Sequence, residues 1–270
     1  MTLGPRSGQA RAGVAIVALV FLAALAAPWL LPWDAAAQDL PNRLQGPTWQ
    51  HWFGLDELGR DILARVLLGA RVSLLVGLVV VGVSSIVGMI VGAVSGYYGG
   101  RVDQSIGRVM DVLMAFPGML LAIALVAVLG PSLVNVVLAL AVIGWVGYAR
   151  LVRGQVLRAR EFEYVTAARA LGAGTVRILA RHVLPTAMPA LLVQATLGMA
   201  GAILSEAALS FLGLGVQPPN ADWGTMLNEA RTYFGQYPIL AIAPGVCISL
   251  VALLCNLLGD EIRDLVDVGH

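Results

Sequence analysis

Long continuous apolar segments constrain the fold of this chain more than any other sequence feature. About 20 apolar residues in a helix cross the ~30 Å of bilayer hydrocarbon. Segments of this kind lie at residues 13–32, 72–98, 109–129, 131–152, 186–213 and 237–258. A lipid-exposed backbone must satisfy its own hydrogen bonds, and the segments lack the alternation of a barrel strand. The sequence therefore predicts an all-α polytopic membrane protein with six transmembrane helices.

The composition excludes a soluble globular protein. Hydrophobic residues make up 59% of the 270 residues and charged residues only 12%, whereas a soluble domain carries about 25% charged residues. The net charge of +1 gives no reason to expect a nucleic-acid partner. Cys247 and Cys255 lie on one predicted helix, separated by ~12 Å of rise, which is too far for a disulfide.

The distribution of arginine predicts the orientation in the membrane. Six crossings place both termini on one side, and the chain contains no lysine. Arginines on the side of the termini are Arg6, Arg11, Arg101, Arg108, Arg150, Arg153, Arg158, Arg160, Arg169, Arg177, Arg181 and Arg263. The opposite side has only Arg43, Arg60, Arg65, Arg71 and Arg231. The positive-inside rule therefore places the termini and the segment 153–185 in the cytoplasm.

The first apolar segment has a second interpretation as a cleaved signal peptide. Arg6 and Arg11 precede residues 13–32, and the small residues 35–37 follow them. The apolar run is longer than the about 7–15 residues of a signal-peptide core, and cleavage would leave an odd number of crossings, against the arginine distribution. A transmembrane helix is therefore the favoured prediction.

Catalytic motifs are missing from the sequence. A P-loop requires a lysine that reaches the nucleotide phosphates, and this chain has none. His51, His182 and His270 lie far apart, and neither a zinc-protease motif nor a nucleophile elbow occurs. We therefore expect a chain that is not an enzyme, with ATP chemistry on another polypeptide. An intramembrane enzyme is disfavoured, because it would need two or more convergent polar groups in the bilayer.

The cytoplasmic segment between the fourth and fifth crossings has the pattern of a helix, a turn and a second helix. Its first helix has a narrow face of mostly small residues at helical spacing, made by Tyr164, Ala167, Ala168 and Leu171. Gly172 and Gly174 are expected to break it. The second run has a predicted apolar face of Val176, Leu179, Ala180 and Val183.

Two interpretations of this segment remain open from the residues alone. An arginine-rich loop can simply obey the positive-inside rule or lie on anionic lipid, and Arg150, Arg153, Arg158 and Arg160 are compatible with that role. The small residues on one face and the glycine corner instead favour close docking into the cleft of a partner.

The same segment resembles the EAA loop of ABC importer permeases. Thr166-Ala167-Ala168, Gly172 and Leu184-Pro185 match its pattern, with Thr166 in place of the usual Glu and His182 in place of an Ile. Thr166 remains able to cap a helix. The resemblance implies a coupling helix that docks on an ATPase subunit. The implied contact residues are Tyr164, Thr166, Ala167, Ala168, Arg169, Leu171, Gly172, Ala173, Leu184 and Pro185.

Motifs along residues 50–267 are similar to those of the second permease of dipeptide, oligopeptide and nickel importers. They are His51-Trp52-Phe53-Gly54-Leu55-Asp56, Leu58-Gly59-Arg60-Asp61, Gly69-Ala70-Arg71-Val72-Ser73, the run from Ser205 to Gly215, Gln217-Pro218-Pro219, Trp223-Gly224, and Asn256-Leu257-Leu258-Gly259-Asp260. The resemblance implies a type I permease bundle in a bacterial or archaeal cytoplasmic membrane.

The resemblance also implies the organisation and the partners of the chain. Residues 1–71 would form an N-terminal crossing and an extracytoplasmic segment, residues 72–258 the core with its coupling loop 153–185, and residues 259–270 a cytoplasmic tail. The implied partners are a homologous second permease, two cytoplasmic ATPases that hold ATP and magnesium, and an extracytoplasmic binding protein. Short peptides are the first substrate expectation. The alternatives are nickel or another small solute, and a stand-alone secondary transporter or channel, which several intramembrane charges or inverted repeats would favour.

Glu206 is the acid that lies deepest in an apolar segment. A charge at the bilayer centre costs about 2.5–3.5 kcal/mol, so Glu206 is expected to face the bundle interior or to be protonated. It can line the translocation pathway together with Ser205 and Ser210, or it can bond to a neighbouring helix. The sequence leaves both possibilities open.

Three further expectations concern packing. Arg108 and Asp111 are spaced to pair at a cytoplasmic helix end. Pro117-Gly118, Pro185, Pro189 and Pro244-Gly245 can act as hinges or as packing kinks, whereas Gly77, Gly82, Gly88, Gly92 and Gly96 are expected to serve close helix packing. The segment 33–71, with its amphipathic stretch 58–68, is expected on the outer surface, where it and the loop 216–236 would receive the binding protein.

Overall fold

The computed structural model describes residues 34–267, so the predicted first crossing at 13–32 lies outside the described residues. Within that range the chain forms helices and turns, with a lone β-bridge between Leu55 and Asp61. The helices are α1 (Ile62–Tyr98), α2 (Gly100–Met114), α3 (Gly118–Leu129), α4 (Leu133–Ala159), α5 (Glu163–Ala170), α6 (Thr175–Ile178), α7 (Leu184–Phe211), α8 (Trp223–Ala230) and α9 (Ile239–Asp267). A π-helical turn at Leu179–Val183 joins α6 to α7. The all-α prediction is confirmed.

Four helical segments are long and apolar enough to cross a membrane without a break. They are α1, α4, the continuous stretch Thr175–Phe211 and α9. Helices α2 and α3 are long and apolar enough only when they are taken together, and the chain bends by 84° between them. Residues 34–267 thus provide four crossings, or five if the bent pair is one crossing.

The prediction of one continuous helix over 109–129 is wrong. Helix α2 ends at Met114, and Pro117 precedes the first residue of α3. Proline lacks the N–H that would continue the helical ladder, and it disfavours the helical conformation of the residue before it. The break lies at Pro117-Gly118, one of the hinge or kink candidates of the sequence analysis.

Helix α2 lies beside the C-terminal end of α4 through two ion pairs. Arg153 Nε and Nη2 donate to the two carboxylate oxygens of Asp103 at 2.5 and 2.6 Å, and Arg150 Nη2 donates to Asp111 Oδ1 at 2.6 Å. The expected pairing of Asp111 with Arg108 is therefore wrong. An arginine from the neighbouring helix reaches the carboxylate instead.

Glycines bring α1 and α4 into close backbone contact. A Cβ added at Gly88 or Gly96 would lie 2.7 Å from the carbonyl oxygen of Trp145 or 2.9 Å from that of Arg153, and one at Gly92 would collide with the carbonyl of Ala149. At Gly77 the neighbour is Ile203 of α7, at 2.9 Å. The expected packing role is confirmed at these four positions. Gly82 faces open space, so it has no such role.

Helix α1 begins ten residues before the predicted crossing at 72. Asp61 caps it by accepting a hydrogen bond from the Ala64 backbone N–H at 2.7 Å. Ile62 and Val66 are buried against α8 and the start of α9. The expectation that the amphipathic stretch 58–68 lies on a surface is therefore wrong, because residues 62–68 form the beginning of α1 and most of the stretch is buried in the chain.

Candidate coupling elbow and transport cavity

Helix α5 buries one residue in the bundle and leaves its predicted docking face uncovered. Val165 is fully buried in the core formed with α1 and α4. Tyr164 is 45% exposed and Leu171 88% exposed; Ala167 is also exposed, and Ala168 is half-buried. The face that the sequence assigns to docking is therefore open in this chain.

Gly172 forms the corner after α5. Its φ of 82° lies in the left-handed region, which favours glycine. The Ala173 N–H donates to the Ala168 carbonyl and the Gly172 N–H to the Arg169 carbonyl, both at 3.0 Å, which is a Schellman motif. The expected break is confirmed at Gly172. Gly174, with φ −69°, has an ordinary conformation at the start of α6.

The buried face of the second run differs from the predicted one. Ile178 and Val183 are buried, whereas Val176 is exposed. The π-helical turn Leu179–Val183 changes the angular phase, because a π-turn places residues five apart on one face. The predicted face is therefore confirmed at Leu179 and Val183, which pack in the core, and wrong at Val176 and Ala180, which are exposed.

We call residues 160–172, which are α5 with its two flanking turns, the elbow. Side chains that the sequence analysis did not single out for this role tie the elbow to two crossings. Tyr164 Oη donates to the backbone carbonyl of His182 at 3.1 Å, which links α5 to the turn before α7. The Arg169 guanidinium lies 5.8 Å from the ring centre of Tyr97, at the C-terminal end of α1. Arg160 Nη1 donates to the carbonyl of Gly96 at 3.0 Å. An aromatic residue at the end of a crossing is the signal that could have pointed to Tyr97.

The remaining predicted contact residues frame the elbow. Thr166 lies inside α5 and donates to the Phe162 carbonyl at 3.4 Å, so it does not cap the helix; the N-cap position belongs to Phe162. Leu184 is half-buried and Pro185 exposed, in the first turn of α7.

The three candidate pathway residues fall into two environments. Glu206 and Ser210 are buried in a polar network, where Ser210 Oγ donates to Glu206 Oε1 at 2.8 Å and Ser73 Oγ to Oε2 at 3.4 Å. Ser205 instead lines a cavity. In this chain Glu206 thus bonds to neighbouring hydroxyl groups and does not face the cavity.

The cavity has a volume of about 310 Å³ and lies between α1, α3, α4 and α7. Its polar lining residues are Ser84, Tyr148, Gln194 and Ser205. Ser84 Oγ is buried and has no hydrogen-bond partner in residues 34–267. Sequence reasoning missed Ser84, Tyr148 and Gln194, each an isolated polar group in an apolar run. None of the described lining residues carries a formal charge.

A buried ion-pair cluster joins the segment before α1 and the beginning of α1 to α8. Arg65 contacts Asp56 and donates from Nη2 to Glu229 Oε2 of α8 at 2.8 Å. Arg60 donates from Nε to Asp56 at 2.7 Å and from Nη2 to Glu57 at 2.8 Å. These ion pairs hold the segment before α1 and the beginning of α1 against α8.

Charge compensation explains this cluster. The carboxylates of Asp56, Glu57 and Glu229 lie close enough to share a cation. The guanidinium groups of Arg60 and Arg65 already neutralise them. Burial raises the pKa of Glu57, and Asp56 adds to that shift. Burial alone would lower the pKa of Arg60, yet the carboxylates of Asp56 and Glu229 outweigh it and raise that pKa.

Two family profiles match the chain. Residues 84–268 match the inner membrane component of binding-protein-dependent transport systems. Residues 7–47 match the N-terminal TM domain of oligopeptide transport permease C. Together the two matches cover most of the sequence.

Curated relatives are similar over nearly the whole chain. The dipeptide transport system permease protein DppC of Alkalihalophilus pseudofirmus is 45% identical over 94% of this chain and 84% of its own length. The glutathione transport system permease protein GsiD of Escherichia coli O157:H7 is 45% identical over 97% of this chain and 87% of its own length.

Solved structures with the same fold are ABC transporters. A chain of the inward-facing MetNI methionine ABC transporter superposes with a TM-score of 0.61 at 19% identity, over 75% of this chain and 97% of that chain. A chain of an amino acid ABC transporter crystallised with histidines gives 0.56 at 14% identity, over 77% and 95%. These likenesses establish the type I permease fold. With the profile and sequence matches, they show that the chain belongs to the family of binding-protein-dependent ABC importer permeases, as the membrane-spanning permease subunit.

Proposed function

We propose that this chain forms half of the translocation pathway of an importer for short peptides, and that a separate ATPase docks on α5. The observation that carries the proposal is the geometry of the elbow. Helix α5 presents Tyr164, Ala167 and Leu171 outward, while the buried Val165 and the Schellman turn at Gly172 hold it in place. A rigid helix with one open face suits the transfer of a mechanical displacement.

The contacts of α5 supply a route for that displacement. Tyr164 bonds to the carbonyl of His182, just before α7, and α7 lines the cavity with Gln194 and Ser205. Movement of α5 therefore shifts the cytoplasmic end of a cavity-lining helix. A packed bundle answers such a shift by changing between discrete packings, here inward-open and outward-open.

The chemistry of ATP belongs to the partners in this proposal. Without lysine the chain cannot form a P-loop, so ATP and magnesium are assigned to two cytoplasmic ATPase subunits, and this chain is not an enzyme. A homologous second permease completes the pathway. The extracytoplasmic binding protein docks on residues 34–61 and 216–236. Both termini are cytoplasmic in the inner membrane.

The cavity supports a peptide substrate over nickel. Its polar groups are hydroxyls and one amide, which match the neutral donors and acceptors of a peptide backbone. Carboxylate, imidazole and thiolate ligands, which bind divalent transition metals, are missing from its described lining. The relatives named for dipeptide and glutathione transport agree with this assignment.

Photo-crosslinking in the complete transporter tests the docking site. A benzophenone amino acid is introduced at Leu171 or, as the control, at Val128; the two side chains are 88% and 87% exposed. We expect an adduct with the ATPase from position 171 and none from position 128, which ends α3 on the opposite side. An ATPase that co-purifies without forming an adduct at 171 would contradict the proposal.

A further inference from the structure

Two buried carboxyl groups lie next to each other near the extracytoplasmic end of α7. Glu206 is 0% exposed and bonds to the hydroxyls of Ser73 and Ser210. Asp222, just before α8, is equally buried. The first turn of α8 packs directly on α7, since a Cβ at Gly224 would lie 2.7 Å from Ser210 Cβ.

The surroundings of Asp222 suit a negative charge. Its Oδ1 accepts from the Thr225 N–H at 2.9 Å and its Oδ2 from the Thr225 hydroxyl at 2.7 Å. The N-terminus of α8 adds its dipole. Burial raises the pKa of Asp222, and these donors act against that rise.

The surroundings of Glu206 do not suit a negative charge. Its described partners are two hydroxyls, one of them at the long distance of 3.4 Å. A second buried carboxylate is its neighbour. A buried charge without a counter-ion is unfavourable, and a second buried charge of the same sign nearby makes it more so.

Cations on the packed elements are engaged elsewhere or exposed. On α1, Arg65 pairs with Asp56 and Glu229, and Arg71 is exposed. Helix α8 contributes the acid Glu229, which is itself paired. The facing half of α9 contributes the thiols Cys247 and Cys255; its charged residues start at Asp260. The charged residues of α4 start at Arg150, near its cytoplasmic end.

We propose that Glu206 and Asp222 hold one proton between them, carried by Glu206, and that this protonated pair is a pH-sensitive latch that fastens α8 to α7 and α1. With the proton on Oε2, Glu206 takes over the donor role in its 3.4 Å contact with Ser73, whose Oγ then accepts, and the acid links α7 to α1. Ser210 bridges towards Asp222 at the cap of α8. Loss of the proton at alkaline pH leaves two adjacent buried anions, and α8 separates from the bundle.

Infrared spectroscopy of the complete transporter locates the proton. A protonated carboxyl group has its own carbonyl stretching band, which we expect in the native protein at neutral pH. The band should be lost in Glu206→Gln and retained in Asp222→Asn, where Asn still serves as an N-cap. Glu57→Gln is the control for the other partly buried acid. A band lost in Asp222→Asn but kept in Glu206→Gln, or no band assignable to either residue, would overturn the proposal.

Hydrogen exchange of the α8 segment tests the latch. Opening of the latch releases one proton. The protection of the α8 amide hydrogens should therefore fall about tenfold per pH unit at the alkaline pH values where Glu206 ionises. After correction for the chemical exchange rate, we expect this loss over residues 223–230 in the native protein and not in Glu206→Gln. The segment 133–159 serves as the internal reference. Equal loss of protection in Glu206→Gln would overturn the latch.

Discussion

At the scale of single residues, backbone conformation distinguishes positions that look alike in the sequence. Gly172 and Gly174 both interrupt the cytoplasmic segment, yet only Gly172 has a positive φ. Neither glycine has a neighbour within 4 Å of an added Cβ. Both positions therefore have room for a side chain, and they differ in the backbone angle φ.

Gly172→Val is expected to uncouple ATP hydrolysis from uptake. A β-branched residue in the left-handed region costs about 1–2 kcal/mol, so the Schellman turn opens and α5 loses its fixed direction. Gly174→Val is the matched control, because φ −69° accepts any residue. Uptake and ATPase activity are measured together in proteoliposomes that contain the whole transporter. Normal uptake by Gly172→Val, or equal loss in both variants, would count against the elbow.

At the scale of elements, two apolar segments of the sequence form different structures. Helix α1 runs unbroken for 37 residues, and its glycines allow α4 to approach its backbone. The apolar stretch 109–129 breaks at Pro117 and bends by 84°. The apolar pattern is the same in both, so proline and the position of small residues decide how each crossing is shaped.

Gly92→Ala is expected to destabilise the bundle, while Gly82→Ala has little effect. The new methyl group at residue 92 collides with the carbonyl of Ala149, and overpacking of this kind costs about 1–3 kcal/mol. At residue 82 it meets open space. Thermal unfolding of the detergent-solubilised complex, followed by loss of its monodisperse peak, compares the two variants. A melting temperature for Gly92→Ala no lower than that for Gly82→Ala would refute the close α1–α4 contact.

At the scale of the whole molecule, ion pairs mark both ends of the bundle. Arg150 and Arg153 bind α2 at one end, and Arg60 and Arg65 join the segment 56–65 to α8 at the other. The arginine count assigns the first end to the cytoplasm. In the proposed orientation, the elbow and the Glu206–Asp222 pair therefore belong to opposite faces of the membrane.

Labelling with a membrane-impermeant maleimide tests this orientation. Cys247 and Cys255 are first replaced by Ala, and a cysteine is introduced at Trp49, which is 97% exposed, or at Leu171. In intact spheroplasts we expect labelling at position 49 only. After permeabilisation both positions should react. Labelling of position 171 from outside would reverse the proposed topology.

The sequence by itself determined the class of the protein, because apolar length and the missing lysine follow from composition and order alone. Residue order also predicted the exposed face of α5 and the corner at Gly172, since helical spacing and glycine act locally. The tertiary structure decided what depends on neighbours distant in the chain. It paired Asp111 with Arg150, buried Arg65 among carboxylates, shifted the phase after Ile178 and placed Glu206 in a hydroxyl network instead of the cavity. Such partners are selected by the packing of helices, which local periodicity does not encode.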